Sequence, residues 1–119
     1  MLREAGYATA HYGKWHINGG GPGSHGYDES DGNTGNEVAS RFKGDNPVDI
    51  VGMGTRAASF MEKSNKAGKP FFIQMSYHAL HSPENANPKT LEACKKRLPN
   101  APDRITQREA IAQDLDTGV

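Results

Sequence analysis

The segment "FFIQMSY", residues 71–77, constrains the fold most, because it is almost continuously apolar and directly follows a helical pattern. Such a run is typical of a buried strand in a parallel sheet. The preceding pattern, "GTRAASFMEKSNKAGKP", predicts a helix over residues 54–67, with Thr55 as its N-cap and with Gly68 and Pro70 ending it. A helix leading into a buried strand is therefore predicted in this half of the chain.

Two further segments extend this alternation. Residues 7–17, "YATAHYGKWHI", predict a strand. After a Pro- and Lys-rich connection, "DRITQREAIAQDLDTGV" predicts a helix capped by Asp103, with an apolar stripe of Ile105, Ile111, Ala112 and Leu115. Residues 18–47 are rich in Gly, Asp, Asn and Ser and predict a long loop. The order predicts an α/β fold with a mainly parallel sheet flanked by helices.

Charge and composition exclude several classes of partner. Fourteen Lys and Arg residues balance fourteen Asp and Glu residues, so the broad cationic field of a protein that binds nucleic acid or anionic membranes is not expected. No window reaches the ~18 apolar residues of a membrane helix, and "MLREAGYATA" lacks the apolar run of a signal peptide. At 119 residues and 34% hydrophobic content, the chain is expected to be part of a larger domain.

Polar side chains follow both predicted strands. On a strand, Lys14 and His16 would project to one side and Trp15 to the other. His78 and His81 follow the second strand. Because parallel sheets bind ligands at the carboxyl ends of their strands, we expect these Lys and His side chains to converge in one crevice. A fixed positive charge beside a group that titrates near neutral pH suits the binding of an anionic ester and proton transfer during its cleavage.

Metal sites are a second interpretation of these residues. A zinc site formed by His78, His81 and Cys94 would lack the usual C-x-x-C or H-E-x-x-H spacing, and a His bonded to backbone is the alternative. The stretch "DESDGNTGNE" lacks the ligand order of a calcium loop and predicts a solvated turn region. Cys94 has no second Cys with which to form an intrachain disulfide, and its Lys-rich segment is predicted to be exposed.

A glycine pattern gives a third interpretation. Gly52, Gly54 and Ala57 match the dinucleotide-binding pattern G-x-G-x-x-A between a possible strand and a helix. The acid that this fingerprint needs about 20 residues further on is absent, since "MSY" occupies residues 75–77. The alternative is that "NPVDIVGMGTRAASF" is one helix or a helix with its lead-in turn.

Three stretches, in this order, resemble the type I sulfatases of the alkaline phosphatase superfamily. "LREAGYATAHYGKWHING" resembles the family signature "GYxTxxxGKWHLG", which follows a helix. "KPFFIQMSYHALHSP" resembles the strand and loop "KPFFLYLSYHAPHxP", and "IAQDLDTGV" resembles the helix "MVEDLDTGVG". The resemblance implies an alkaline phosphatase-like α/β domain and hydrolysis of a sulfate monoester.

The resemblance also implies roles for single residues. Lys14 would bind and neutralise a sulfate oxygen. His16 would hydrogen-bond the hydroxyl of a formylglycine nucleophile and assist sulfate release. His81 would contact the substrate sulfate near the leaving oxygen and could supply its proton, while His78 would support substrate binding. Trp15 would serve packing.

Several family features are expected to lie outside this sequence. The nucleophile arises from Cys in C-x-P-x-R or from a Ser counterpart, and "CKKRL" does not match. The paired Asp residues and the Asp-Asn that bind Ca²⁺ or Mg²⁺ in the family, and its second sulfate-binding Lys, are also not matched. Residues 1–119 are therefore expected to form part of one catalytic domain, inactive alone, whose partners are a sulfated small molecule or glycan and the remainder of that domain.

The residues leave other functions open. A related phosphodiesterase or phosphonate hydrolase is the nearest enzymatic alternative, and a non-catalytic anion-binding or nucleotide-binding module is the alternative from another class. The family resemblance implies a periplasmic or secreted protein, although the chain itself carries no such signal. The sequence does not identify the sulfate ester.

Overall fold

A computed structural model describes residues 1–37, 47–81 and 84–119. Within these residues the strands are β1 (Ala8–Gly13), β2 (Glu29–Ser30) and β3 (Phe71–Ser76), and the helices are α1 (Ile50–Lys66), α2 (Pro88–Arg97) and α3 (Asp103–Gly118). None of these described helices has the length and apolar character needed to cross a membrane.

The three strands form one sheet in the order β2, β1, β3, and both pairings are parallel. β1 and β3 run in register from Ala8 opposite Phe71 to Gly13 opposite Ser76. Parallel pairing places the carboxyl ends of β1 and β3 at the same edge. The predicted α/β fold with a mainly parallel sheet is confirmed.

Helix α1 covers one face of the sheet. Ala10 and Tyr12 of β1 pack against Met53, Ala57 and Phe60 of α1, all of which are buried. These helix residues recur at spacings of four and three, which places them on one face. Full burial of a Met or Phe side chain contributes ~1.5–3 kcal/mol, so this contact anchors α1 to the sheet.

Helices α2 and α3 form the second core with the start of α1. The buried residues of this second core are Val48, Ile50, Ala86, Cys94, Ala110 and Ile111. The hydroxyl of Tyr77, which follows β3, donates to the carbonyl of Gly118 at 3.2 Å. This bond ties the end of α3 to the segment that leaves the sheet.

Helix α1 begins earlier than the sequence predicts. It starts at Ile50, and Thr55 lies inside it, where its hydroxyl donates to the Val51 carbonyl at 3.0 Å. The prediction of Thr55 as N-cap is wrong. Gly52 and Gly54 also lie within α1, so the strand-to-helix glycine turn required by a dinucleotide site does not form there. The alternative of one helix with its lead-in turn is correct.

The Pro- and Lys-rich connection contains a helix that was not predicted. Asn87 caps α2 by accepting the backbone N–H of Lys89 at 2.9 Å, and Pro88 occupies the first helical position. Cys94 is only 1% exposed, because α2 turns it toward α3. The prediction that its segment is exposed is wrong for this side chain.

Helix α3 has the predicted extent but a different buried stripe. Asp103 is its first helical residue and Pro102 occupies the cap position, so the prediction of Asp103 as the cap is wrong. Ile111 is buried as predicted and Leu115 is half-buried, whereas Ile105 and Ala112 are exposed. The stripe that packs instead consists largely of small and polar side chains, namely Thr106, Ala110, Ile111 and Asp114.

Two strand predictions also need correction. β1 ends at Gly13, so Lys14 and His16 lie beyond the strand and its alternation does not orient them. β3 has the predicted position, but Phe71 and Phe72 are each 41% exposed. β3 is at one edge of the described sheet, so only β1 flanks it, and the predicted burial is not observed.

Candidate functional site

The site begins where β1 and β3 end together. The backbone N–H of Lys14 donates to the carbonyl of Ser76 at 2.8 Å. This hydrogen bond directly joins the carboxyl-terminal ends of the two strands. Gly13 has φ +92, and a Cβ there would overlap the Ser76 carbonyl oxygen. Only glycine combines this left-handed conformation with so close an approach, which explains the glycine before Lys14.

A loop from the Gly- and Asn-rich segment closes over this junction. The backbone N–H of Trp15 donates to the carbonyl of Thr34 at 2.8 Å. Gly35 has φ +69, and a Cβ there would overlap the carbonyl oxygen of Gly13. The segment predicted as a loop over 18–47 contains the short strand β2, so the loop prediction is wrong there, and its residues Thr34 and Gly35 contribute directly to the site. Residues 38–46 lie outside the described part of the chain.

Lys14 supplies a cation at this edge. Its side chain is half-buried, and its Nζ donates to Asn36 Oδ1 at 3.1 Å. Because an amide carbonyl is neutral, this contact orients the ammonium group without cancelling its charge. Lys14 can therefore attract an anion that reaches the carboxyl edge of the sheet.

His78 follows β3 by two residues, is only 5% exposed and interacts electrostatically with Lys14. Burial lowers the pKa of His78, and the Lys14 charge lowers it further, against the opposing effects of a hydrogen bond with the Gly35 backbone and the Asp49 and Asp31 carboxylates. The imidazole is therefore mainly neutral at pH 7. The backbone bond matches the prediction that one of the two His residues after β3 bonds to backbone.

His81 and His16 are the exposed members of the predicted set. The backbone N–H of His81 donates to the carbonyl of His78 at 3.0 Å, and Leu80 between them has φ +66. This tight turn brings the His81 backbone within hydrogen-bond distance of the backbone of the buried His78. Lys14 and His78 thus interact electrostatically, His81 lies in the same turn as His78, and the exposed side chain of His16 follows the buried Trp15.

His11 is a buried residue near the site that sequence reasoning did not select. It is 1% exposed, its Nε2 lies 3.0 Å from Ser76 Oγ, and its ring makes edge contacts with Trp15 and Tyr27. Burial lowers the pKa of His11, against the opposing effect of the Asp31 carboxylate. No sequence signal distinguished His11 from the other polar residues of this strand.

Sequence reasoning also missed an ionic cluster beside the β1 exit. Arg56 of α1 contacts the carboxylates of Asp31 and Asp49 at distances of 2.6 to 2.7 Å. Asp31 belongs to the stretch "DESDGNTGNE", yet it is only 7% exposed. The prediction of a solvated turn is therefore wrong for Asp31, because its partner is distant in sequence.

The described residues do not fit a divalent metal ion. No group of three or more His, Cys, Asp or Glu side chains in residues 1–37, 47–81 and 84–119 is arranged to hold one. The buried carboxylates of Asp31 and Asp49 already pair with Arg56. The Cys94 thiol donates to Gln113 Oε1 at 3.3 Å in the core between α2 and α3, so the zinc hypothesis has no support.

Comparisons with known proteins agree with the motifs at this edge. The model of the Sulfatase family matches residues 1–117. A comparison with curated proteins finds no match. The family match covers β1 with Lys14, the loop that closes over it, β3 with its His residues, and nearly all of α3. The chain belongs to the sulfatase family.

Proposed function

We propose that this chain forms the sulfate-binding side of an active site that hydrolyses a sulfate monoester. The observation that carries the proposal is the position of Lys14, whose ammonium group is held at the shared carboxyl edge of β1 and β3. Membership of the sulfatase family supports the choice of sulfate as the anion. A sulfate monoester carries one negative charge, which a single half-buried lysine can balance.

The four predicted residues divide into two pairs by exposure. Lys14 and His78 are held by surrounding structure and are proposed to bind and orient the sulfate. His78 would act as a neutral hydrogen-bonding group, because burial disfavours its charged form. His16 and His81 are open to solvent and are proposed to move protons at the nucleophile and at the leaving oxygen, respectively.

The proposed reaction needs a formylglycine nucleophile and Ca²⁺ or Mg²⁺. The described residues do not provide these groups. The side chains in these parts of the chain offer no fitting metal site. Because the sequence also matches neither form of the nucleophile motif, we expect the 119-residue chain to bind sulfate without turning over a sulfate ester. A chromogenic aryl sulfate tests this expectation, and release of the phenol above a protein-free blank contradicts it.

Sulfate binding itself is tested by titrating sodium sulfate into the ¹⁵N-labelled chain at constant ionic strength. We expect saturable shifts of the Lys14 and Gly35 amide resonances, and loss of these shifts in Lys14→Gln. Lys66→Gln is the matched control, because Lys66 is an exposed residue near the end of α1. Equal sulfate binding by the two variants would refute the role of Lys14.

The same titration with phosphate separates the proposed function from the phosphodiesterase and phosphonate hydrolase alternatives. Stronger saturable binding of phosphate than of sulfate at the Lys14 edge would favour those alternatives. Shifts spread over many exposed Lys residues without saturation would exclude a specific anion site altogether.

A further inference from the structure

Three charged side chains next to the proposed sulfate site form a cluster with two buried carboxylates, here named the Arg56 clamp. It consists of Arg56, Asp31 and Asp49. Arg56 Nη2 donates to Asp31 Oδ2 at 2.7 Å and to Asp49 Oδ2 at 2.6 Å, and Nε lies 2.7 Å from Asp31 Oδ1. Both carboxylate side chains are 3% exposed. Nη2 donates to both carboxylates, and charge-assisted hydrogen bonds of this kind are short and strong.

Asp31 connects the clamp to Lys14. The Oδ2 atom that Arg56 contacts also accepts the backbone N–H of Gly13 at 2.8 Å, and this hydrogen bond is buried. Gly13 is the last residue of β1 and immediately precedes Lys14. The carboxylate therefore holds the backbone at the point where the chain leaves the sheet, and Arg56 holds the carboxylate.

Asp49 connects the clamp to the segment after β3. Val48 and Asp49 have φ values of +39 and +60, which are unfavourable for residues with a Cβ. The backbone N–H of Val48 donates to Asn85 Oδ1 at 3.0 Å. The ion pair with Arg56 helps to hold this strained turn, so the clamp joins the β1 exit to the turn before α1 and, through Asn85, to the segment after β3.

We propose that Arg56 is a positioning residue for sulfate binding, which acts through Asp31 and the Gly13 backbone to hold Lys14 at the edge of the sheet. The inference rests on the proposed function for its ligand. The opposing view is that the clamp only balances charge, in which case the geometry of Lys14 does not depend on it.

The variant Asp31→Asn separates these views because it keeps the shape of the side chain and makes the site more positive by one charge. If charge alone matters, Asp31→Asn binds sulfate more tightly than the unaltered chain. If the clamp positions Lys14, sulfate binding weakens by about fivefold or more despite the added charge, as NMR titration would show. Glu62→Gln is the matched control, since it adds the same charge at an exposed position on α1.

A second variant keeps the charge unchanged. Arg56→Lys removes the planar guanidinium that contacts both Asp31 and Asp49 but keeps a cation in place. We expect weaker sulfate binding, faster hydrogen exchange of the Gly13 amide and a shifted Lys14 Cε resonance. If a folded Arg56→Lys variant has the sulfate affinity, the Gly13 hydrogen exchange rate and the Lys14 Cε resonance of the unaltered chain, the proposal is wrong. This variant decides the question if Asp31→Asn does not fold.

Failure of the proposed function gives a different result. If the unaltered chain binds no sulfate, the proposed function fails, and the Gly13 amide and the Lys14 Cε resonance still report on the clamp. Both signals should change in Asp31→Asn and in Arg56→Lys relative to Glu62→Gln. If neither signal changes, the clamp does not position Lys14.

Discussion

Replacement of Gly35 by alanine should damage both the fold and the proposed site. A Cβ at Gly35 would overlap the carbonyl oxygen of Gly13 and would lie 2.5 Å from its carbonyl carbon and 3.0 Å from Lys14 Cα. These atoms belong to backbone that is bonded to Ser76 and Asp31, so they cannot move aside as a flexible side chain can. We expect Gly35→Ala to displace the β1 exit and to reduce stability.

The size of the effect follows from a comparison with Gly68. Gly35 and Gly68 have nearly the same φ, +69 and +64, but a Cβ at Gly68 would meet no heavy atom within 4 Å. Both substitutions therefore lose ~1–2 kcal/mol from the left-handed conformation. Only Gly35→Ala adds the steric cost of overpacking, ~1–3 kcal/mol. The effect of alanine on the unfolded chain is similar in both variants and cancels in the difference.

Urea unfolding monitored by tryptophan fluorescence measures this difference. Trp15 is the single Trp of the chain and is 7% exposed, and its backbone bonds to Thr34 beside Gly35. We expect Gly35→Ala to unfold at lower urea than Gly68→Ala and to lose the sulfate response of Lys14. Equal stability of the two variants would show that the close packing of Gly35 against Gly13 is not a real constraint.

Two more predictions follow from buried titratable groups. Burial lowers the pKa values of His11 and His78 in the folded chain, so the unfolded chain binds more protons below its own His pKa of about 6.5. The stability contributed by these two His residues should therefore be fully present above that pH. It should fall as the pH decreases toward their folded-state pKa values and should then level off. Urea midpoints that stay constant from pH 8 to pH 5 would contradict this prediction. The Cys94 thiol is buried in the core between α2 and α3. It should therefore react with a disulfide reagent much more slowly in buffer than in urea. Similar reaction rates in both solvents would show that this core is open to solvent.

Sequence reasoning succeeded where local pattern decides structure. The apolar run at β3 and the amphipathic pattern of α1 predicted the strand, the helix and the parallel pairing. The start of α1 was missed because Val48 and Asp49 adopt left-handed conformations that only tertiary contacts stabilise. Helix α2 was missed although "NP" at residues 87–88 is a helix-start signal, because the composition of the segment indicated a connection.

The candidate site was predictable only in part, for a related reason. The rule that parallel strands end at one edge applies to β1 and β3, and the Lys14 backbone bonds there to Ser76, the last residue of β3. No comparable rule links Arg56 to Asp31 and Asp49, which lie 25 and 7 residues away in sequence and belong to a loop and a turn. Their pairing depends on how α1 packs on β1, and a single sequence does not specify that packing.

The balance of charge at the site explains why this distant pairing matters. Lys14 is the cation proposed to bind sulfate, yet two buried carboxylates lie close enough to influence the neighbouring His78. Without Arg56, Asp31 and Asp49 would outnumber Lys14 and would repel an anion. With Arg56 between them, the cluster carries only one net negative charge, so it offsets less of the attraction of Lys14 for an anion. A bound sulfate therefore depends on the orientation of Lys14 and on neutral hydrogen-bond donors rather than on excess positive charge, which is why the geometry at Gly13 and Gly35 should control binding.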